Sequence, residues 1–145
     1  MILLMFRFVP DTDVVIAAMR SPTGASAAIL TAADVGQVRL LASVALVLEC
    51  EAKCTDPEHY QAVGISRADA GNFVDAIAAL AEPVEPHYFW RPQLRDPADE
   101  MVLETAINGG ADAIVTFNIR DYGQAPQLFG VETLRPAQAI WRIRS

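Results

Sequence analysis

Five side chains in this sequence carry oxygen atoms that could bind a metal ion. Four of them stand near the ends of predicted strands or helices, and one lies inside an apolar helix. Asp11 follows an apolar run, Glu49 lies inside an apolar stretch with helical character, and Asp99, Glu100 and Asn118 stand near the ends of two later elements. Carboxylate and amide oxygens are the ligands that hard divalent cations such as Mg²⁺ and Mn²⁺ prefer. Such a cation activates water and stabilises the charge that develops in phosphodiester hydrolysis. If the fold brings these residues together, they could support metal-dependent hydrolysis.

Three of these residues also have an ordinary structural explanation. Asp11 could cap the helix that follows it. Glu49 could face solvent from one side of its helix, although most of that helix is expected to be buried and an isolated buried carboxylate is costly. Asn118 could be a turn residue at a strand end. Each signal alone is weak, and their agreement in position gives them weight.

The Asp96-Pro97 pair is typical of the start of a helix, because aspartate caps the helix and proline suits its first position. Asp99 then falls in the first turn, where an acidic side chain also suits the helix dipole. Glu100 is adjacent to it. A structural role and a role in chemistry therefore both remain open for Asp99.

The apolar pattern predicts strands that alternate with helices. Strands are expected at residues 2–9, 38–42, 87–90, 113–117 and 131–134. Helices are expected at residues 12–19, 25–33, 44–53, 57–63, 67–81, 97–108 and 136–143. This alternation predicts an α/β fold, a three-layer α/β/α sandwich with a mainly parallel sheet of about five strands. Function in such sheets gathers at the carboxyl ends of the strands, near the switch point, which is where the acidic residues are expected.

Composition favours one compact domain over residues 1–145, because 145 residues with 52% hydrophobic content can bury a sizeable core. No apolar run reaches the roughly 18 residues that a membrane span needs, and the opening residues lack the pattern of a signal peptide. The expected location is therefore cytoplasmic, without membrane contact. The net charge of −7 argues against a large nucleic-acid surface. It does not exclude a nucleic-acid enzyme, because bound metal reverses the local field.

The remaining metal-binding and basic residue types give little further direction. Cys50 and Cys54 are spaced like two small thiols on one helix face, and the two histidines are isolated, so a zinc site is not predicted. Ten of the eleven basic residues are arginine, which suits phosphate recognition but also fits a GC-rich genome. The sequence does not choose among the candidate phosphate-binding residues Arg20, Arg91, Arg95 and Arg120.

Four stretches resemble segments of PIN-domain proteins of the VapC-type toxin kind. They are DTDVVIAAMRSPTGASAAIL at 11–30, LVLECEAKC at 46–54, RDPADEMVLETAINGGADAIVTFNIRDY at 95–122 and ETLRPAQAI at 132–140. The third stretch is the most specific, whereas residues 55–90 add little. Together the four span most of the chain.

The resemblance implies a role for each candidate residue. Asp11 would be the central metal ligand, Glu49 and Asp99 the second and third carboxylates, and Glu100 a neighbouring ligand or helper. Asn118 would occupy a catalytic position that is often acidic. In addition, Thr116 would be the strand-end hydroxyl near the metal.

The resemblance also implies an activity and partners. The protein would be a metal-dependent endoribonuclease that uses Mg²⁺ or Mn²⁺, and the toxin of a type II toxin–antitoxin pair. It would form a homodimer silenced by a cognate antitoxin.

Two residues depart from the family pattern. Asp13 stands where the family usually has asparagine, which adds a charge, and Asn118 stands where many members have aspartate, which removes one. Asn118 could still ligate through its carbonyl oxygen, and Asp121 could partly compensate for the lost charge. The departure at Asn118 puts activity in question without excluding it.

Two other function classes remain open. One is a non-catalytic module that binds RNA or a partner protein. The other is a phosphatase of the haloacid dehalogenase type with Asp11 as nucleophile and Asp13 as general acid. That chemistry also requires a lysine, and Lys53 is the single one in the chain.

Overall fold

The computed structural model describes residues 5–87 and 93–145. Its strands are β1 (Arg7–Pro10), β2 (Arg39–Ala42), β3 (Glu82–Pro83), β4 (Ala113–Val115) and β5 (Glu132–Leu134). Its helices are α1 (Thr12–Arg20), α2 (Ala25–Asp34), α3 (Val44–Cys54), α4 (Pro57–Tyr60), α5 (Arg67–Leu80), α6 (Pro97–Gly109), α7 (Ile119–Tyr122), α8 (Ala125–Leu128) and α9 (Pro136–Arg144). A 3₁₀ turn, Gln61–Val63, follows α4.

The five strands form one parallel sheet in the order β3-β2-β1-β4-β5. The chain leaves β1 towards β2 and later returns to place β4 on the other side of β1. The boundary between β1 and β4 is therefore the topological switch point, where open α/β sheets bind ligands. In the β1–β4 register, Pro10 pairs with Val115. Asp11 and Thr116, the residues that follow this pair, meet at the carboxyl edge of the switch point.

Helices cover both faces of the sheet. Successive strand residues point to opposite faces, so Phe8 and Leu40 belong to one core while Val9 and Leu41 belong to the other. Helices α2 and α9 pack on the first core, and α3, α5 and α6 pack on the second. The predicted three-layer sandwich with a parallel five-stranded sheet is confirmed.

Several boundaries differ from the sequence predictions. The first strand begins at Arg7, and residues 2–4 of the predicted strand lie outside the described residues. The strand predicted at 87–90 is not found at His87, and 88–90 also lie outside the described part of the chain. The sheet instead ends in β3, whose two residues are too few to give a periodic signal. Its proline is tolerated because β3 is an edge strand.

Helix α3 is less buried than its apolar sequence predicted. Val44 is 75% exposed and Leu48 is 58% exposed, while Leu46, Cys50 and Cys54 form its buried side. The expectation that most of this helix is buried was therefore wrong. Hydrophobicity alone did not reveal that part of this helix faces solvent.

Helices α1 and α2 meet at a sharp turn. Gly24 caps α2, and its backbone N–H donates to Ser21 O at 3.1 Å. The two helices are bent by 97° relative to each other. Only when taken together are they long and apolar enough for a membrane span. Within the described residues, no single helix is long and apolar enough.

Gly109 ends α6 at a close approach to the β2–β3 edge of the sheet. A Cβ built there would lie 2.9 Å from Val84 Cγ2 and 3.1 Å from Leu41 Cδ1. Gly71, within α5, has no such neighbour within 4 Å. The two helical glycines therefore differ in the space that they offer to a side chain.

We expect Gly109→Ala to lower the free energy of unfolding by roughly 1–2 kcal/mol, because an overpacking cost of about 1–3 kcal/mol exceeds the gain in helix propensity. Gly71→Ala should raise the free energy of unfolding by about 0.5–1 kcal/mol, because the added methyl group meets no neighbour and only the higher helix propensity of alanine acts. Urea unfolding of both variants measures the two changes. Stabilisation by Gly109→Ala would contradict the close approach.

Candidate active site

Asp11 lies at the centre of the switch-point edge and is only 8% exposed. It is the N-cap of α1, and its Oδ1 accepts a hydrogen bond from Thr12 N at 2.7 Å. Its Oδ2 accepts hydrogen bonds from Thr116 Oγ1 and Tyr122 OH, each at 2.9 Å. Oδ2 thus has both lone pairs engaged, whereas Oδ1 keeps one available. The helix-cap explanation and a ligand role are compatible in the same carboxylate.

Asp13 is held against the end of β4. Its Oδ2 accepts hydrogen bonds from Phe117 N at 3.0 Å and Asn118 Nδ2 at 3.1 Å, with Thr116 Oγ1 at 3.4 Å. Its Oδ1 is buried without a hydrogen-bond partner. Burial first, and then repulsion by Asp11, raise the pKa of Asp13 to about 6. Asp13 is therefore a carboxyl group that binds a proton more readily than usual, and one of its oxygens accepts no hydrogen bond.

Asp99 is a third carboxylate of this group. It lies in the first turn of α6, after the cap Asp96 whose side chain accepts from Ala98 N at 2.9 Å. Partial burial, followed by repulsion from Asp11, Asp96 and further carboxylates, raises the pKa of Asp99 to about 6. Asp11 thus influences both Asp13 and Asp99, so three carboxyl groups share one local field.

Glu49 is half-buried on α3. The next residue, Cys50, is the one that the structure places near Asp11: burial mainly raises the pKa of its thiol to about 12, and the charge of Asp11 contributes. No hydrogen bond among the described residues joins Glu49 to Asp11 or Asp99. In the part of the chain that the structure describes, no three histidine, cysteine or acidic residues are grouped closely enough to hold a metal ion.

Glu100 is buried, at 4% exposure, and has a local structural partner. Its Oε1 accepts hydrogen bonds from Gln93 N at 2.6 Å and Leu94 N at 2.7 Å. The carboxylate thereby fixes the segment that leads into α6.

A cleft of about 580 Å³ opens beside Asp99. Arg95 and Arg120 line it together with Asp121 and Tyr122. Of the other predicted phosphate-binding candidates, Arg20 lies elsewhere and contacts His59 at 3.3 Å. Arg91 lies outside the described residues.

The sequence reasoning missed Tyr122, although it noticed Asp13 and Thr116. Tyr122 is fully buried, and burial together with the charge of Asp11 raises the pKa of its hydroxyl. The hydroxyl therefore stays protonated and serves as a permanent donor to Asp11. The available signal was an aromatic residue in an otherwise polar segment, NIRDYGQ, shortly after a strand end.

Comparisons with known proteins agree with this architecture. The sequence profile of the family described as the PIN domain matches residues 7–120. No match was found among curated protein sequences. The fold is similar to the crystal structure of VapBC2 from Rickettsia felis bound to a DNA fragment from their promoter. The TM-score is 0.62 at 11% identity, covering 90% of this chain and 98% of that chain.

The profile match spans most of the chain and includes Asp11, Asp99 and Asn118. PIN domains are typically nucleases and generally bind divalent metal ions. On the extent of this match, the chain belongs to the PIN-domain family.

Proposed function

We propose that the protein is a metal-dependent endoribonuclease and the toxin of a type II toxin–antitoxin pair. The observation that carries the proposal is the shared field of Asp11, Asp13 and Asp99 at the switch point, where two carboxyl groups have a pKa of about 6. Family membership and the fold similarity to VapBC2 support it. Perturbed carboxyl groups gathered beside a cleft are typical of functional sites.

The donor set fits a hard divalent cation. All candidate donors are carboxylate oxygens, and Asp13 Oδ1 is a buried oxygen without a partner. Burial is the main cause of the raised pKa values of Asp13 and Asp99, and repulsion by Asp11 is the next, which a cation would relieve. We propose Asp11 and Asp99 as the principal ligands of Mg²⁺ or Mn²⁺.

The remaining candidates have less direct roles in the proposal. Glu49 would complete the ligand set from α3. Glu100 stays a candidate helper, since its Oε1 fixes the chain ahead of Asp99. Asn118 would act by holding the carboxylate of Asp13 through its amide.

A bound cation would supply an activated water and stabilise charge on the phosphate. The protein's own contribution is to orient the carboxylates before substrate arrives. Thr116 and Tyr122 donate to the same oxygen of Asp11, so the carboxylate cannot rotate without losing both bonds. Phe117 N and the Asn118 amide restrain Asp13 in the same way. Such preorganisation lowers the cost of reaching the reactive arrangement.

The proposal includes partners and a location. A cytoplasmic homodimer bound by a cognate antitoxin would fit a toxin of this kind. The solved structure with a similar fold is described as VapBC2 bound to promoter DNA, which supports a toxin–antitoxin setting.

One observation favours a second candidate, a non-catalytic module that binds RNA or protein. The residues that the structure describes contain no preassembled group of metal ligands. Metal binding separates the two candidates. The phosphatase alternative gains no support, since the family match is to the PIN domain.

Titration calorimetry of chelator-treated protein with Mn²⁺ tests the metal site. We expect saturable binding that weakens by at least about tenfold in Asp11→Asn and Asp99→Asn, because even outer partners of a metal site typically contribute about 10–100-fold. Asp75→Asn removes the same charge from the exposed side of α5 and should bind like the parent. Absent binding by the parent, or equal loss in all three variants, would favour the module.

Cleavage of a fluorescently labelled RNA with Mn²⁺ tests the reaction itself. We expect Asp99→Asn to reduce the rate by about 100-fold or more, which is the usual effect of removing one group that stabilises the charge of the transition state. Asp99 makes none of the hydrogen bonds that tie β1 to β4, so its variant should keep the parent's circular dichroism and melt at a temperature no lower than the parent's. Undiminished cleavage by a folded Asp99→Asn protein would refute its role.

The raised carboxyl pKa values predict opposite pH effects on stability and on metal affinity. The folded pKa of Asp13, about 6 instead of 3.8, stabilises the metal-free protein below about pH 4, and this contribution is lost as pH rises through 6. Mn²⁺ affinity should instead fall below pH 6, because carboxylate ligands must be deprotonated.

Asp13→Asn should keep the hydrogen bond from Phe117 N, and it removes the ionisable carboxyl group. The melting temperature of its metal-free form should therefore rise relative to the parent between pH 4 and 7. Scanning calorimetry at each pH measures this difference. A difference that does not change with pH would contradict the raised pKa.

A further inference from the structure

The cleft beside Asp99 has features that the metal chemistry does not use. Its volume of about 580 Å³ lies within the range of roughly 300–1,000 Å³ that is typical of small-ligand sites. Two arginines, Arg95 and Arg120, line it together with three aspartates, Asp96, Asp99 and Asp121. Arginine side chains beside a group of carboxylates indicate a ligand that itself carries negative charge.

Neither guanidinium is used by the fold itself. Within residues 5–87 and 93–145, the side chains of Arg95 and Arg120 make no hydrogen bond or ion pair. Other arginines are engaged: Arg7 and Arg142 pair with Glu82 and Glu132. The planar guanidinium fork fits phosphate oxygens, and an unpaired one need not first break a salt bridge.

Each arginine lies on a segment that is tied to the acidic site. Arg95 follows Gln93 and Leu94, whose backbone N–H groups are fixed by the buried carboxylate of Glu100. Arg120 lies on α7, two residues before Tyr122, whose hydroxyl donates to Asp11. The backbone that carries each arginine is therefore held near Asp99, while both side chains extend from it exposed.

The overall charge makes local contacts necessary for binding RNA. With a net charge of −7, the long-range field of the protein repels a polyanion. Affinity must come from a few cations placed at phosphate positions, where each contact also releases counterions.

We propose that this cleft binds the RNA backbone next to the scissile bond, with Arg95 and Arg120 each contacting a phosphodiester group. The assignment rests on the proposed nuclease function and goes further, because it names the substrate-binding residues. It excludes Arg20, which contacts His59 at another part of the surface. In this assignment, Glu100 is a positioning residue for the Arg95 side of the cleft.

The test separates binding from cleavage. The binding probe is a labelled 12-nucleotide RNA of mixed sequence whose 2′-hydroxyls are methylated, so that its own hydroxyl groups cannot attack the backbone. Binding is measured by anisotropy at several salt concentrations, and metal is left out so that the proposed hydrolysis is not supported. We expect Arg95→Gln and Arg120→Gln each to weaken binding by about 5–10-fold and to lower the salt slope by about one phosphate contact. Arg20→Gln, which removes the same charge elsewhere, should bind like the parent.

Cleavage of unmodified RNA with Mn²⁺ completes the design. We expect the two cleft variants to raise KM by a similar factor while kcat changes less than about threefold, and Asp99→Asn to bind RNA without cleaving it. Cleft variants that bind like the parent, or an Arg20→Gln effect of equal size, would overturn the cleft assignment while leaving the nuclease proposal intact. Arginine-dependent binding by a parent that does not cleave would support the cleft and refute the nuclease.

Discussion

The buried carboxylate of Asp11 is the constraint on which the rest of the site depends. It lies between the ends of two parallel strands, and a buried carboxylate must have its hydrogen bonds satisfied. Thr12 N, Thr116 Oγ1 and Tyr122 OH satisfy it. Each donor belongs to a different element, namely α1, the end of β4, and α7. A single side chain thus links the elements that surround the switch point.

The same arrangement stores electrostatic repulsion. Burial, and after it repulsion by Asp11, raises the pKa of both Asp13 and Asp99 to about 6. At neutral pH the metal-free protein therefore keeps like charges together at a cost in stability, which is typical of sites arranged for function. The hydrogen bonds from Phe117 N and Asn118 to Asp13 offset part of this cost. A cation would relieve the remainder, so metal affinity and folded stability are coupled.

The elements that the sequence predicted well are those with local signals. The caps at Asp11 and Asp96 follow from short-range hydrogen bonding, and the structure contains both. The resemblance implied that Thr116 lies at a strand end near the metal site, and in the structure its hydroxyl donates to Asp11. Strand β3 could not be predicted in this way, since a two-residue strand depends on its neighbour β2 and has no pattern of its own.

Long-range contacts account for what the sequence did not show at the site. Tyr122 reaches Asp11 across 111 positions of the chain, and nothing near Tyr122 in sequence signals that partner. Glu100 is a related case: the resemblance implies a ligand or helper beside Asp99, and only the fold shows that its Oε1 accepts from the backbone of Gln93 and Leu94. The residue types at the site were predictable, but their hydrogen-bond partners required the fold.

The two departures from the family pattern are connected by this hydrogen-bond network. The resemblance places asparagine at the position of Asp13 and often aspartate at that of Asn118. Here Asn118 Nδ2 donates to Asp13 Oδ2 at 3.1 Å, so the amide and the carboxylate are partners whose positions are exchanged. With the two residue types exchanged, the pair still contributes one amide and one carboxylate to the switch point. Asn118 taken alone is therefore no evidence of a lost site, because the charge missing at its position is supplied by the residue to which it is hydrogen-bonded.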